Sequence, residues 1–556
     1  MLGVGGRLVW VRGVCLGALA FACGTPHGGS DAGPPPFEDA GEDASASPLP
    51  LRMLAPLSGS FVTTRRPTLR WTLPPGVRGA RVTICRDFEC TAPVASFDAE
   101  GDRGAPDVDL EPGQVFWLAC ALDAPAETCM PWIWSFTVPR RSASHDTSFG
   151  TRPDLSRDGF SDLVIGQPSN GGAGLIAVYG GGASGPTLGG YTSVVTLSVA
   201  SPRGYGTSVA IASDVAGSGG APIMGAAIGK SFLTYSFNAQ PDRELPAGTY
   251  AVAGAGDVDG DGYGDMLLGT STDAMGSTVA LLSYGGDTSF PVGAEIPLYM
   301  GESSGYLVPS MSAAERFSSA LSGAGDLDGD GLADVIIGAP GASRAYVYLG
   351  QPTRPPTRTP IVLEGPSGSR FGASVACAGD VNGDGLADVV VGAPLIDRAF
   401  VYYGDVALGV VSTPVELAAP GIGAADFGVA VGGAGDVDGD GFGDVIVGAP
   451  FAEMGFGRVY VFAGSGAGVA SAPSAVLAGE DPSGADFGRA VAGIGDLDGD
   501  GFDDVVVGIP GAPPDTRGAA AVFRGGAAGI ETTRAWRVEG HDGGYTAFGA
   551  SIARAF

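Results

Sequence analysis

Residues 256–269 read GDVDGDGYGDMLLG, and nearly the same string returns as GDLDGDGLADVIIG (325–338), GDVNGDGLADVVVG (379–392), GDVDGDGFGDVIVG (435–448) and GDLDGDGFDDVVVG (495–508). In the first copy Asp257, Asp259, Asp261 and Asp265 crowd into one short loop. Carboxylates about 4 Å apart repel by about 1 to 4 kcal/mol per pair, depending on the local dielectric. A chain that repeats such a loop needs a counter-ion for it.

The pattern D-x-D-x-D-G-x-x-D shows how the ion is held. Side chains at positions 1, 3 and 5 converge on one centre, glycine at 6 permits the sharp turn, position 7 offers a carbonyl, and position 9 closes the shell. Hard oxygen ligands in a roomy array suit calcium better than magnesium, which demands tight octahedral geometry and keeps its waters. The spacing resembles that of an EF-hand loop, but strands rather than helices flank it.

The loops recur at a fixed frame. Their first acids are Asp154, Asp257, Asp326, Asp380, Asp436 and Asp496, with later intervals of 54, 56 and 60 residues. The gap of 103 between Asp154 and Asp257 spans two periods, and Asp214 in its middle marks a unit that keeps the frame but has lost the acids. Each unit offers an FG-led strand, the acidic loop, a continuous apolar strand such as VVVG, an alternating third strand (AYVYLG, AFVYYG, RVYVFAG) and a short fourth (IVLEG, VELAA, AVLAG). Four strands per unit and this period indicate the blades of a propeller. The aromatic leading each entering strand precedes the first loop acid by nine residues, as Phe371 precedes Asp380, and even Tyr205 precedes Asp214. Phe548 begins one more such strand, FGASIARAF, while the unit of Asp154 lacks a full one. The two halves complete one another if the array closes into a ring of seven blades, which would leave no open sheet edge.

The order F-G, then G-D-x-D/N-G-D-G-x-x-D, then V-x-V-G-x-P resembles the FG-GAP repeat of the integrin α-chain β-propeller and its bacterial exported or lipoprotein relatives. The resemblance covers about residues 148–556. It implies an all-β, seven-bladed propeller whose hairpin loops hold five to six structural Ca2+ ions. Carried over by position, the ligands are Asp257, Asp259, Asp261 and Asp265; Asp326, Asp328, Asp330 and Asp334; and Asp380, Asn382, Asp384 and Asp388. Asp436, Asp438, Asp440 and Asp444 form a further set, and Asp496, Asp498, Asp500 and Asp504 another. The first loop supplies Asp154, Ser156, Asp158 and Asp162, weakened by Ser156 and the neighbouring Arg157.

Composition agrees with cations as partners. Thirty Lys+Arg against 60 Asp+Glu leave a formal charge of −30, which argues against nucleic acid and anionic membrane surfaces. Three histidines (His27, His145, His541) give a zinc site or a histidine-based catalyst little to build from. Residues 1–22 read as a signal peptide, Arg7 and Arg12 preceding a short apolar run, and no other stretch has the length to span a bilayer. LAFAC resembles a bacterial lipoprotein box with Cys23 as the lipidated residue. Residues 23–48 are a solvated linker rich in Gly, Pro, Ala, Ser and acid, expected to be disordered.

Residues 49–140 carry short runs such as PTLRWTL, ARVTICR, VFWLACAL and WIWSFTV, the pattern of a small antiparallel β-sandwich that resembles a fibronectin type III or immunoglobulin-like module. In an exported chain Cys85, Cys90, Cys120 and Cys129 form an even set; the local pairing, 85 with 90 and 120 with 129, is expected. Cys377 falls in an apolar strand as a small hydrophobe.

The functional expectation is an exported, non-catalytic binding or adhesion module at the cell surface, with an unidentified protein or glycan as ligand. An architectural envelope protein is the second reading and an exported hydrolase the third, on the reading that the chain has no G-x-S-x-G elbow, no H-E-x-x-H and no separate catalytic domain. The inserts around residues 182–205 and before Asp326 are candidate recognition loops.

Overall fold

The computed structural model describes residues 51–553 apart from internal segments, the longest being 143–154, 187–204, 286–294 and 299–314. The expected signal peptide, linker and Cys23 therefore lie outside the described residues, as do both candidate recognition inserts almost entirely. Among the described residues the chain is β throughout except for two short helical turns, Pro394–Ile396 and Ala452–Gly455. No helix among them is long and apolar enough to cross a membrane.

The N-terminal part forms two sheets. One orders Arg52–Ala55, Leu69–Thr72 and Arg103–Gly104; the other orders Ser60–Phe61, Trp134–Val138, Gly113–Ala121, Gly79–Cys85 and Pro93–Glu100. Trp71 from the first shares a core with Val82, Trp117 and Phe136 from the second, and Trp117 meets Trp134 edge-to-face at 6.3 Å. The expectation of a wholly antiparallel arrangement needs correcting: Ser60–Phe61 runs parallel to Trp134–Val138. That pairing joins distant segments, so no local turn signal announces it. Disulfides join Cys85 to Cys90 and Cys120 to Cys129.

Among the described residues, six four-stranded sheets, one three-stranded sheet and a two-stranded pair (Gly404–Asp405 with Gly409–Val410) follow this unit, and each four-stranded sheet is built in chain order. In the sheet that begins with Ser374–Gly379, the second strand Asp388–Ala393 is buried at every residue, because it lies mid-sheet with neighbouring sheets on both faces. The third strand, Arg398–Tyr402, is also buried except at its arginine, which corrects the expected alternation. Its aromatic residues are covered by the leading aromatic of the entering strand: Phe371 packs edge-to-face on Phe400 at 5.5 Å, Phe317 on Tyr346 at 5.6 Å and Phe427 on Tyr460 at 5.5 Å. Alternation belongs instead to the outer fourth strands Ile361–Glu364 and Ala475–Ala478, which face solvent on one side. Cys377 is buried in the entering strand, where burial pushes its thiol up to about 12.

The glycine ending each apolar strand has a specific task. A β-carbon on Gly338, Gly392, Gly448 or Gly508 would collide with the backbone carbonyl of Gly372, Gly428, Gly488 or Gly549 in the next sheet. The V-G of one repeat and the F-G of the next are thus two sides of one contact, and Gly372 and its equivalents take a left-handed φ of about 84 to 91° to make it.

The last segment closes the array. Ser551–Ile552 pairs with Leu163–Gln167, matching Ser551 to Gly166 and Ile552 to Ile165. Phe548 is fully buried and meets Tyr179 edge-to-face at 6.4 Å. The N–H of Gly549 donates to the Gly166 carbonyl at 3.1 Å and that of Ala553 to Val164 at 2.9 Å. Tyr205, leading the unit around Asp214, stacks edge-to-face on Phe232 at 5.9 Å, so that unit keeps its blade packing.

Candidate metal loops

Each entering strand ends in a bulge one residue before its loop, between Cys377 and Gly379 or Gly433 and Gly435, for example. Gly379 and Gly435 sit at φ 79° and 78°, a turn that a β-carbon would strain. The chain then wraps around the side chain of the first acid. In the loop of Asp380 the N–H groups of Gly383 (2.6 Å), Asp384 (3.1 Å) and Gly385 (2.9 Å) all donate to its carboxylate. Asp257 accepts from Gly260, Asp261 and Gly262 at 2.7, 3.1 and 2.8 Å. Asp436 and Asp496 repeat the pattern, and Asp326 accepts from Asp330 and Gly331.

The ninth position is a clamp. One oxygen of Asp388 accepts the N–H of Val381 at 2.8 Å and the other that of Gly404 at 2.9 Å, tying the loop to the exit of the third strand. Asp265, Asp334, Asp444 and Asp504 do the same with Gly285, Gly350, Gly464 and Gly525. In the first loop Asp162 accepts from Gly181 at 3.0 Å, while Asp154, Ser156 and Asp158 lie outside the described residues, as does Asp214.

Carboxylate oxygens of Asp257, Asp259 and Asp265 lie within 4.8 Å of one another, as do those of Asp326, Asp328 and Asp334, of Asp436, Asp438 and Asp444, and of Asp496, Asp498 and Asp500. Oxygens coordinating one calcium at about 2.3–2.6 Å are separated by no more than about 5 Å, so the donor sets fit such an ion. The fifth position joins its neighbours only in the last of these groups. Asp261, Asp330, Asp384 and Asp440 each accept the N–H of the residue two further on, for example Phe442 to Asp440 at 3.0 Å, which holds the turn. The loop of Asp380 is not among these groups; there the Asn382 amide donates to Asp384 at 2.9 Å.

Burial, followed by repulsion from Asp261 and Asp259, pushes Asp257 well above the usual carboxylate range. Asp265, Asp334 and Asp504 are raised for the same leading reason, Asp326 to about 7 and Asp388 and Asp444 to about 8. Backbone N–H donors oppose the shift but do not cancel it. Such carboxylates are easier to ionise beside a cation. Two loops have a tethered one nearby: Arg524 Nε lies 2.9 Å from Asp498 Oδ2 while its guanidinium stacks 4.2 Å from the Trp536 ring, and Arg358 Nη1 lies 3.5 Å from Asp328 Oδ2.

One feature was not evident from spacing. The N-terminal unit reaches the loops: a β-carbon on Gly331 would lie 2.8 Å from the Met53 carbonyl and 2.9 Å from Leu54. The reading that no G-x-S-x-G is present needs correcting: residues 301–305, GESSG, match that spacing. The stretch lies outside the described residues.

An FG-GAP-like repeat model matches residues 326–391, and the FG-GAP repeat model matches residues 427–462 and 487–523. The chain is 33% identical to integrin alpha-4 of Xenopus laevis over 267 residues, 45% of this chain and 25% of that protein. It is 41% identical to integrin alpha-IIb of Homo sapiens over 157 residues, 26% of this chain and 15% of that protein. The matched region thus spans a quarter or less of these relatives. Among solved structures, a putative 6-phosphogluconolactonase from Bacteroides uniformis covers 68% of this chain and 97% of its own at 13% identity and TM-score 0.40. A periplasmic gluconolactonase from Pseudomonas aeruginosa covers 70% of this chain and 99% of its own at 17% identity and TM-score 0.39. At those scores neither likeness bears on this chain's chemistry.

Proposed function

From the premise that the chain carries FG-GAP repeats and is integrin-α-like, we propose that it is an exported, calcium-stabilised, non-catalytic binding module. The observation that carries the reading is the loop geometry, repeated in the loops of Asp257, Asp326, Asp436 and Asp496, in which carboxylate oxygens surround a space fit for one hard cation. Four such loops, with the loops of Asp380 and Asp154 added on the spacing of their residues, give five to six structural ions. The same geometry favours a structural over a catalytic role. The first and ninth carboxylates are spent on backbone N–H groups, whereas glycoside hydrolysis needs a pair of carboxyl groups free to flank a substrate bond. The partner is an unidentified protein or glycan at the cell surface, met by loops of the ring, with Cys23 as a lipid attachment point; the charge of −30 disfavours nucleic acid.

The test is thermal unfolding of the purified chain with chelator, then with calcium or magnesium restored. With dissociation constants of about 10⁻⁴ to 10⁻³ M, as in extracellular modules, about 10 mM calcium adds roughly 1.4 to 2.7 kcal/mol per site. The melting temperature should fall by many degrees in chelator and recover with calcium more than magnesium. A melt indifferent to chelator would remove the basis of the reading.

A further inference from the structure

The metal loops touch one another, and always in the same way. The residue at position 7 of each loop lays its side chain on the position-4 glycine of the loop before. A β-carbon on Gly260 would lie 2.8 Å from Leu332 Cδ2, on Gly329 2.9 Å from Leu386 Cδ2, on Gly383 2.5 Å from Phe442 Cε1 and on Gly439 2.8 Å from Phe502 Cε1. Phe160 of the first loop covers Gly499 of the last. Backbone bonds run alongside. The carbonyl of Asp257 accepts the N–H of Ala333 at 2.9 Å, that of Asp326 accepts Ala387 at 2.9 Å and that of Asp380 accepts Gly443 at 2.8 Å. Asp436 accepts Asp503, and Asp496 accepts Ser161, both at 3.1 Å.

These contacts link the groups that hold the metal donors. Gly383, on which Phe442 rests, donates its N–H to the Asp380 carboxylate, and Phe442 donates its own to Asp440. Fixing Asp380 around an ion therefore fixes both the glycine and the carbonyl against which the next loop is built, and the reverse holds. Stacked repeats that contact only their neighbours share free energy through those interfaces.

Resting on the calcium reading above, we propose that the loops take up metal as a nearest-neighbour coupled array, with Leu332, Leu386, Phe442, Phe502 and Phe160 as positioning residues that carry the coupling. The loop of Asp257 stands at one end of the array, because the unit before it, around Asp214, has lost its acids. The loop of Asp436 stands inside it.

The test is calcium titration of the full chain by calorimetry and by competition with a chromophoric chelator. In one variant, Asp438→Ala, the interior loop loses one converging donor and its charge but keeps Asp436, Asp440 and Asp444, whose carboxylates hold the turn. In the other, Asp259→Ala, the end loop is treated alike. Coupling predicts that the interior variant loses one site and weakens two others by about 5-fold or more, and that the end variant weakens one. Phe442→Ala should keep all sites yet lose the coupling between its two loops, and Phe442→Leu should restore it, since leucine fills the same place at 332 and 386. Loss of a single site with every other affinity unchanged in both variants would overturn the coupling and leave the calcium reading intact. No calcium uptake by the unaltered chain would overturn both.

Discussion

Replacing Phe548 by alanine tests whether the ring is fastened by its last strand. The ring is fully buried, its neighbour Tyr179 belongs to a segment some 370 residues earlier, and the strand it leads adds backbone bonds to Gly166 and Val164. Truncating a buried Phe to Ala costs about 3–5 kcal/mol through lost burial and the cavity left behind. Against a domain stability of about 5–15 kcal/mol, that is a large fraction. Phe427→Ala is the matched control. Its ring is equally buried, with Tyr460 at 5.5 Å and Phe462 at 6.2 Å, but it leads an interior strand. Urea unfolding followed by circular dichroism, in millimolar calcium, should show comparable losses in both. Limited proteolysis should then separate them, because only Phe548→Ala releases a terminal strand whose detachment opens the ring. A loss under about 1 kcal/mol, within the usual range for an uneventful substitution, would refute the closure, as would protease resistance equal to that of the control.

Metal-free protein should lose stability as pH rises. Asp326 at about 7 and Asp388 and Asp444 at about 8 hold protons in the folded state that an unfolded carboxylate gives up near 3.8. Folding is thus favoured at low pH and penalised progressively between about pH 4 and 8. Melting temperatures in chelator should fall across that window and flatten when calcium is added; a rise with pH in chelator would contradict the assignment. Arg524→Gln should tighten calcium binding at the Asp496 loop, since the guanidinium beside Asp498 is a competing cation; unchanged affinity there would show that the arginine yields freely.

Much of the ring could be read from the sequence because its chemistry is local. Gly379 and Gly383 must be glycine for backbone reasons, and the first acid of each loop is satisfied by N–H groups three to five residues on. What spacing could not show depends on distant segments. The ninth carboxylate reads as a ligand, yet its second hydrogen bond goes to Gly404 or Gly464 at the far end of another strand. Its persistence as Asp162, in a loop where Ser156 replaces an acid, is the one signal that hints at this second duty. The third strands read as half-exposed because Tyr and Phe tolerate water, but Phe371 and Phe427 cover them. The parallel pairing of Ser60–Phe61 left no trace in turn residues at all.

The unit of Tyr205 shows which demands of the repeat are separable. Its aromatic pair stands, Gly206 keeps its left-handed backbone, and the Gly206 carbonyl still fills the space that Gly166 leaves open, while the acids around Asp214 are gone. On the calcium reading, charge can drain from one loop at the expense of a single ion. A methyl group at Gly166 would instead push two neighbours apart and spread the misfit around the circle. Copies of this unit are therefore free to forget their metal long before they can forget their glycines, and drift among them should run in that direction.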